Sequence, residues 1–329
     1  MRQSWKCWVA ALVLAAPMAG RSATCTTQAA LSAQDRNTLA AAGERLAQAV
    51  MRQDESTLQA ALMPSVQQDW PGMKSAVEDG AALVKGGQAQ LRAFYVLDNS
   101  TATAVADQEF FCSNVSSTLT IAVTMRALPP GRYAVVLADA AGSALGGQMG
   151  FVLVWDATSA APAWKLGGLS VRQGIIDGHD GVWFWTHARA LAAGPHTWSA
   201  WYTYELARYL LLPVDFLSST NMDKLVQEQG HIQNSPANAF PYSLTDGPRT
   251  WKIDDIRVDT SLRQADLGVT YQSIGVTDPS AQRTEATAVM SALLKSHPGL
   301  RENFHGLWAY ANQAGKITPI IELPMGQIP

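Results

Sequence analysis

Gly86-Gly-Gln-Ala-Gln-Leu-Arg-Ala-Phe-Tyr-Val-Leu97 is where the chain changes period. Before it, apolar residues recur at helical spacing; after it, they alternate as in strands. Upstream, Ser32-Ala-Gln-Asp35 is a capping box, and Leu39, Ala42, Leu46, Ala49 and Val50 then fall on one face, predicting an amphipathic helix of about five turns. A break near Gln53-Asp54-Glu55 is followed by a second short helix over 56–63, ended before Pro64. A third runs from Pro71 through Val77 and Leu83 to the glycine pair. Downstream, strands are predicted over 91–97, 107–112, 118–128, 133–138, 150–155 and 164–171, with Pro129-Pro130-Gly131 and Ala140-Ala141-Gly142 as turns. Helices followed by a run of antiparallel strands specify an α+β unit. A β-sandwich over 118–155 is the alternative arrangement of the same strands.

Working outward from this unit, Arg2 and Lys6 precede a short apolar run over 8–16, then Pro17 and small residues around Gly20 to Ala23. This is the layout of a secretory signal, expected over 1–22. The run is too short to span a bilayer, which takes about 20 residues. Export makes the mature protein extracytoplasmic, periplasmic or secreted. A lipid anchor through Cys25 is the minor alternative, because Ser22-Ala23-Thr24 lacks the residues of a lipoprotein box. Cys7 leaves with the leader, so Cys25 and Cys112 remain, and an oxidising compartment predicts a disulfide between them. Two unpaired buried thiols are the alternative. A formal net charge of -3, 16% charged residues and the lack of a basic block argue against nucleic acid or an anionic membrane as partner. No later segment reads as a membrane span; the nearest, 202–214, is interrupted by Glu205 and Arg208.

The helical period returns at Asp180 with a heavy aromatic load. Helices are predicted over 180–193 and 197–212, turned at Gly194-Pro195 and ended at Pro213, with a further helix over 221–229. Residues 233–249, rich in Asn, Pro, Ser and Gly, are expected to be a linker. The C-terminal part, 250–329, reads as a compact ββαββ unit: strands over 251–258 and 267–276, a helix over 280–296, then a hairpin of 307–311 with 317–323.

Two resemblances follow from these residues. Arg45-Leu-Ala-Gln-Ala-Val50, Asp54 and 58–64, with the paired Phe151-Val-Leu-Val-Trp155 and Trp164-Lys-Leu-Gly-Gly-Leu169, resemble the nuclear-transport-factor-like (SnoaL-like) cone, over about 32–172. The resemblance implies helices on a curved antiparallel sheet over 23–176, with a pocket between them. Catalytic members place Asp and His on inward strands, and few occur here, so a binding or structural role is expected. Phe184, Ala188, Leu191, Ala200, Tyr204, Ala207 and Pro213, within 177–232, are similar in spacing to a single tetratricopeptide helical hairpin. A lone hairpin cannot bury its own apolar face and must pack on a neighbouring unit or on a partner.

The candidate sites divide into two groups. Asp177-Gly-His-Asp-Gly181 puts His179 between Asp177 and Asp180 on a glycine turn, an arrangement that can bind a metal or act as an acid or base. The plainer reading makes Asp180 a helix cap and His179 exposed. The rings Trp183, Trp185, Trp198, Trp201 and Tyr204, with His187 and Arg208, can line a groove for a protein, peptide, glycan or apolar ligand, or can be packed core. His297, before Pro298, is expected to be solvated or a C-terminal charge partner, and His305 to serve a turn. Asn99-Ser-Thr101 and Asn114-Val-Ser116 match the glycosylation sequon and are taken as chance matches. No phosphate loop, nucleophile elbow, dinucleotide fingerprint or zinc spacing occurs, so no cofactor or metal is expected. Two function classes remain: a non-catalytic exported binding or scaffold protein of the bacterial envelope, and an extracytoplasmic hydrolase or isomerase with its site in the cone pocket or near 177–180.

Overall fold

The computed structural model describes residues 23–113, 118–158 and 161–329. The expected leader over 1–22 and the sequon at Asn114 lie outside the described residues. The sequence pattern of alternation converts directly into layers. β1 (Thr24–Thr27) is followed by α1 (Ala33–Arg52), α2 (Glu55–Ala61), α3 (Trp70–Val84) and β2 (Gln88–Asp98). β3 (Ala106–Ser113), β4 (Thr120–Leu128), β5 (Arg132–Ala141), β6 (Gln148–Asp156) and β7 (Ala163–Arg172) complete the N-terminal part. The main sheet has the order β1-β2-β5-β6-β7, antiparallel throughout.

Alternate residues of its strands serve two different cores. Phe94 and Val96 of β2, Ala134 and Val136 of β5, and Met149 and Phe151 of β6 pack under α1 to α3 with Leu39, Leu46 and Leu58. Their neighbours Leu97, Tyr133, Val135 and Leu137 point the other way, onto Phe110, Val123 and Leu217. Those residues belong to a second sheet, β10-β4-β3, whose short β10 (Leu217–Ser219) arrives from later in the chain. The architecture is therefore helices, sheet, sheet: β3 and β4 leave the main sheet and cover its outer face, which realises part of the sandwich alternative. Close approach of α3 to the sheet depends on Gly80, where an added Cβ would lie 2.6 Å from Val171 of β7.

The predicted capping box at Ser32 forms, and Asp54 at the expected break proves to be a second cap. Ser32 Oγ accepts from the Asp35 amide at 3.1 Å and donates to the Asp35 carboxylate at 3.0 Å. Asp54 accepts from the Thr57 amide and caps α2. Cys25 of β1 and Cys112 of β3 are joined by a disulfide, which fastens the first strand to the covering sheet. Asn99 is buried against the Pro129 carbonyl, so its sequon is not displayed.

A tight β8 (Ile175–Ile176) and β9 (His179–Asp180) ribbon leads into α4 (Gly181–Ala192) and α5 (Thr197–Leu211), and α6 (Thr220–Gly230) follows β10. The C-terminal sheet is larger than expected. Part of the expected linker is β11 (Tyr242–Asp246), paired with β12 (Arg249–Asp259). β13 (Asp266–Gln272), α7 (Pro279–Ser296), α8 (Gly299–Asn303), β14 (Gly306–Gln313) and β15 (Lys316–Pro324) complete a sheet of order β11-β12-β13-β14-β15. The unit is thus βββαββ rather than ββαββ, because Tyr242 and Leu244 alternate over too few residues to outweigh the Pro and Gly around them. β13 and β14 run parallel, joined by the α7 crossover. The hairpin of α4 and α5 shares one continuous core with this sheet and α7, through Ala188, Tyr202, Leu206, Ile253, Ile256, Leu293 and Phe304. Its apolar face is buried against the unit that follows it. No helix among the described residues is long and apolar enough to cross a membrane.

The disulfide spans a sequence separation of 87 residues. Closing a loop of this length removes chain entropy worth about 4–5 kcal/mol from the unfolded state. Urea unfolding of the Cys25→Ser, Cys112→Ser double variant is expected to show a loss of that order against the oxidised protein. An unchanged midpoint would contradict the assigned bond.

Candidate functional site

The aromatic residues of the hairpin do not share one exposed groove. Trp198 and Tyr204 are core: Trp198 lies flat on His297 at 3.7 Å and edge-on to Tyr242, and Tyr204 is buried beside Glu228 of α6. Burial, aided by the Glu228 charge, pushes the Tyr204 hydroxyl up to about 12. Glu228 is a hub: it accepts from Trp185 Nε1 at 2.7 Å and from two nitrogens of Arg189 at 2.7 and 2.9 Å. The Arg189 guanidinium in turn lies over the Trp185 ring at 4.5 Å. Trp201 Nε1 donates to Glu205, and Arg208 is exposed. Trp183 alone of the set is strongly exposed, at 41%, stacked between His179 at 3.7 Å and His187 at 4.9 Å. His187 is satisfied by Asn303 at 2.8 Å.

Asp177 and Gly178 both have positive φ, 51° and 78°, and form the two-residue turn of the β8–β9 ribbon. Asp180 caps α4 by accepting from the Trp183 amide at 2.8 Å. His179 is half-buried against Trp183 rather than exposed, and Asp177 is exposed on the turn. His297 corrects the expectation of a solvated group: packed on Trp198, it is held down to about 4 by burial, so its ring is neutral.

An apolar cleft lies where the two N-terminal sheets diverge and the hairpin closes over the gap. Ala93 and Tyr95 of β2, Leu137 of β5, Leu119 and Ile121 at β4, Trp185 of α4 and Met222 of α6 line a cavity of about 320 Å³. A second cavity of about 390 Å³ shares Ala93, Tyr95, Leu119 and Ile121 with it and extends to Arg36 of α1. The two form one elongated groove. At its hairpin end, Arg92 is held by Asp139 at 2.9 Å and by Gln148 at 2.8 Å. Tyr95, at the centre, has its hydroxyl pushed up by burial and stays protonated. Beside the apolar side chains, the wall offers the protonated Tyr95 hydroxyl, the Arg92 guanidinium balanced by Asp139, and Arg36. By contrast, the space between α1 to α3 and the sheet, where the cone resemblance places a pocket, is filled by Leu39, Leu46, Leu58, Phe94 and Phe151.

The C-terminal sheet carries a separate polar cluster. One face of β13 and β14 packs on α7 through Leu267, Val269, Leu307 and Ala309. The opposite face presents Asp266, Gly306, Trp308, Tyr310 and, from β15, Glu322, with His305 at its edge. His305 Nδ1 is 3.0 Å from Asp266 Oδ1, so His305 does more than serve a turn. Burial raises both carboxyls, Glu322 being raised further by Asp266 and Asp266 being partly offset by His305. No local motif announces this group, because Asp266 and Glu322 come together only through strand pairing.

Compared with known proteins, the chain matches no family model, no curated protein and no solved structure.

Glu205, between the hairpin and β12, supplies a test of this packing. Burial pushes its carboxyl up to about 7, from 4.5, against the Trp201 indole donor. The folded chain thus holds this proton more tightly than the unfolded one, so the group lowers stability as pH rises from 4.5 to about 7. Neutral His297, with the opposite sign, costs stability as pH falls from 6.5 toward 4. Glu205→Gln is expected to stabilise the protein by roughly 2–3 kcal/mol at pH 8 and by little at pH 4. Urea melts at both values check this; parallel pH profiles in the two proteins would contradict it. Trp198→Ala is expected to cost about 3–5 kcal/mol and Trp183→Ala under about 1 kcal/mol in the same melts. Equal losses would mean that the Trp183 stack is core.

Proposed function

We propose that this is an exported, non-catalytic binding protein of the bacterial envelope, periplasmic or secreted, that holds an elongated apolar ligand in the groove between its two N-terminal sheets. The apolar groove carries the reading: its larger-than-water cavities, rimmed by Trp185 and Leu119, fall in the size range of small-molecule sites, about 300–1,000 Å³. The Cys25–Cys112 bond and the leader-like start of the sequence support the compartment. Arg36, with no carboxylate paired to it among the described residues, lies at the far end of the groove and favours a ligand with an acidic head. The tetratricopeptide-like resemblance of the hairpin, whose Val182 and Trp185 line the groove, supports a binding role.

Titration with a fluorescent fatty acid is expected to saturate at one molecule per chain. Leu119→Asp places a charge on the exposed rim, where Leu119 is 40% accessible, and is expected to weaken binding at least about ten-fold without changing the urea midpoint. Non-saturable uptake, or binding indifferent to Leu119→Asp, would falsify the assignment of this groove. A peptide or a glycan that competes at the groove while fatty acid does not would also overturn the ligand class.

A further inference from the structure

We propose that Asp266, His305 and Glu322 form a binding site for a divalent first-row transition ion, of which Zn²⁺ is the model. The site lies on the polar face of the C-terminal sheet, built by β13, the residue preceding β14, and β15, and it is separate from the groove.

Four observations converge. One ligand atom from each of the three residues lies within 4.8 Å of the others. Zinc bonds to imidazole nitrogen and carboxylate oxygen are about 2.0–2.2 Å, so ligand atoms on one ion stand about 3–3.5 Å apart. The Asp266 to His305 separation of 3.0 Å already meets this, and half-buried Glu322 brings an oxygen within 4.8 Å of both. Second, Asp266 is fully buried, and its Oδ2 makes no well-formed hydrogen bond among the described residues; the Trp308 indole, whose Nε1 is likewise unpaired, acts on the carboxylate without closing one. A buried carboxylate oxygen without a donor costs free energy that a cation recovers. Third, neither Lys nor Arg pairs with Asp266 or Glu322 among the described residues; His305 is the one ion-pair partner of Asp266 there. Two carboxylates facing one another without a fixed cation form a site whose charge balance calls for one. Fourth, the residue between them is glycine. A Cβ at Gly306 would lie 2.8 Å from Glu322 Oε1 and 3.0 Å from Asp266 Oδ1, so any side chain there would obstruct the approach of the two carboxylates.

The donor set selects the metal. One imidazole with two carboxylates suits zinc, cobalt or manganese better than calcium or magnesium, which prefer all-oxygen shells. His305 is about one-third exposed, so the fourth position opens to solvent, next to the Trp308 and Tyr310 rings. The neighbouring Asp259, which accepts from Tyr310 at 2.9 Å and from Ser261 at 2.5 Å, is already satisfied and stays outside the shell.

The purified chain, stripped with chelator, is to be titrated calorimetrically with Zn²⁺ and, separately, with Co²⁺ while the visible d–d absorption is followed. One ion per chain is expected, with a cobalt spectrum that appears in step with occupancy. Glu322→Gln is expected to weaken binding at least about ten-fold, and His305→Asn to abolish it together with the cobalt band. Both changes lie at half-buried positions, and circular dichroism with a urea melt establishes that each variant is folded. The other histidines, His179, His187, His196, His231 and His297, are an alternative source of zinc binding. Stoichiometry unchanged in the Glu322→Gln, His305→Asn double variant would place the ion there and overturn the site. Failure of the stripped protein to bind Zn²⁺ or Co²⁺, or displacement of Zn²⁺ by excess Ca²⁺, would overturn it too. Since Leu119→Asp does not touch this sheet, loss of the groove reading leaves the metal result intact, and the reverse holds.

Discussion

The middle of β5, Tyr133 to Ala138, is buried on both faces, and the rest of the N-terminal half follows from that burial. A strand whose successive side chains all need cover cannot sit in a sheet with one wet face. Ala134, Val136 and Ala138 are covered by α1 to α3; Tyr133, Val135 and Leu137 need a second layer, which β3, β4 and β10 provide. The disulfide reinforces that layer from one side, and β10, contributed from beyond the hairpin, closes it from the other. Because the covering sheet has only three strands, it leaves part of the main sheet bare. The bare part is the groove.

The same economy governs the second half. α4 and α5 have apolar surface on several sides, and each side meets a different neighbour. Trp198 and Tyr202 face the C-terminal core, Trp185 and Tyr204 face α6 through Glu228, and Leu211 and Val182 face the groove. The hairpin is the joint between the two sheet systems. Gln148, buried in β6, donates to the Leu210 carbonyl at 2.7 Å, and Gln173 donates to the Arg263 carbonyl at 3.1 Å, so buried amides tie the three parts together. Such fully satisfied amides fix relative placement more than they add net stability.

Much of this was legible residue by residue. The capping box at Ser32, the strand alternation after Gly87, the Asp180 cap and the Cys25–Cys112 pairing are local or compositional signals, and each corresponds to a feature of the structure. β11 escaped because Tyr242 and Leu244 are its only apolar pair within a Pro- and Gly-punctuated stretch. The burial of His297 is not legible locally, because its environment is set by Trp198, a residue far away in sequence on another element. The aromatic excess was visible, yet periodicity could not apportion rings that turn toward three different neighbours.

By itself, the sequence determined the α+β class, the order of helices and strands, the caps and the two cysteines available for pairing. These depend on periodicity, on turn chemistry and on composition, all carried within short windows of chain. Only the tertiary structure decided that two sheets would diverge to leave an apolar groove, and that Asp266, His305 and Glu322 would meet on one face. Both depend on strand register and sheet order, in which a shift of one residue reverses every side chain, and neither is written in any local stretch.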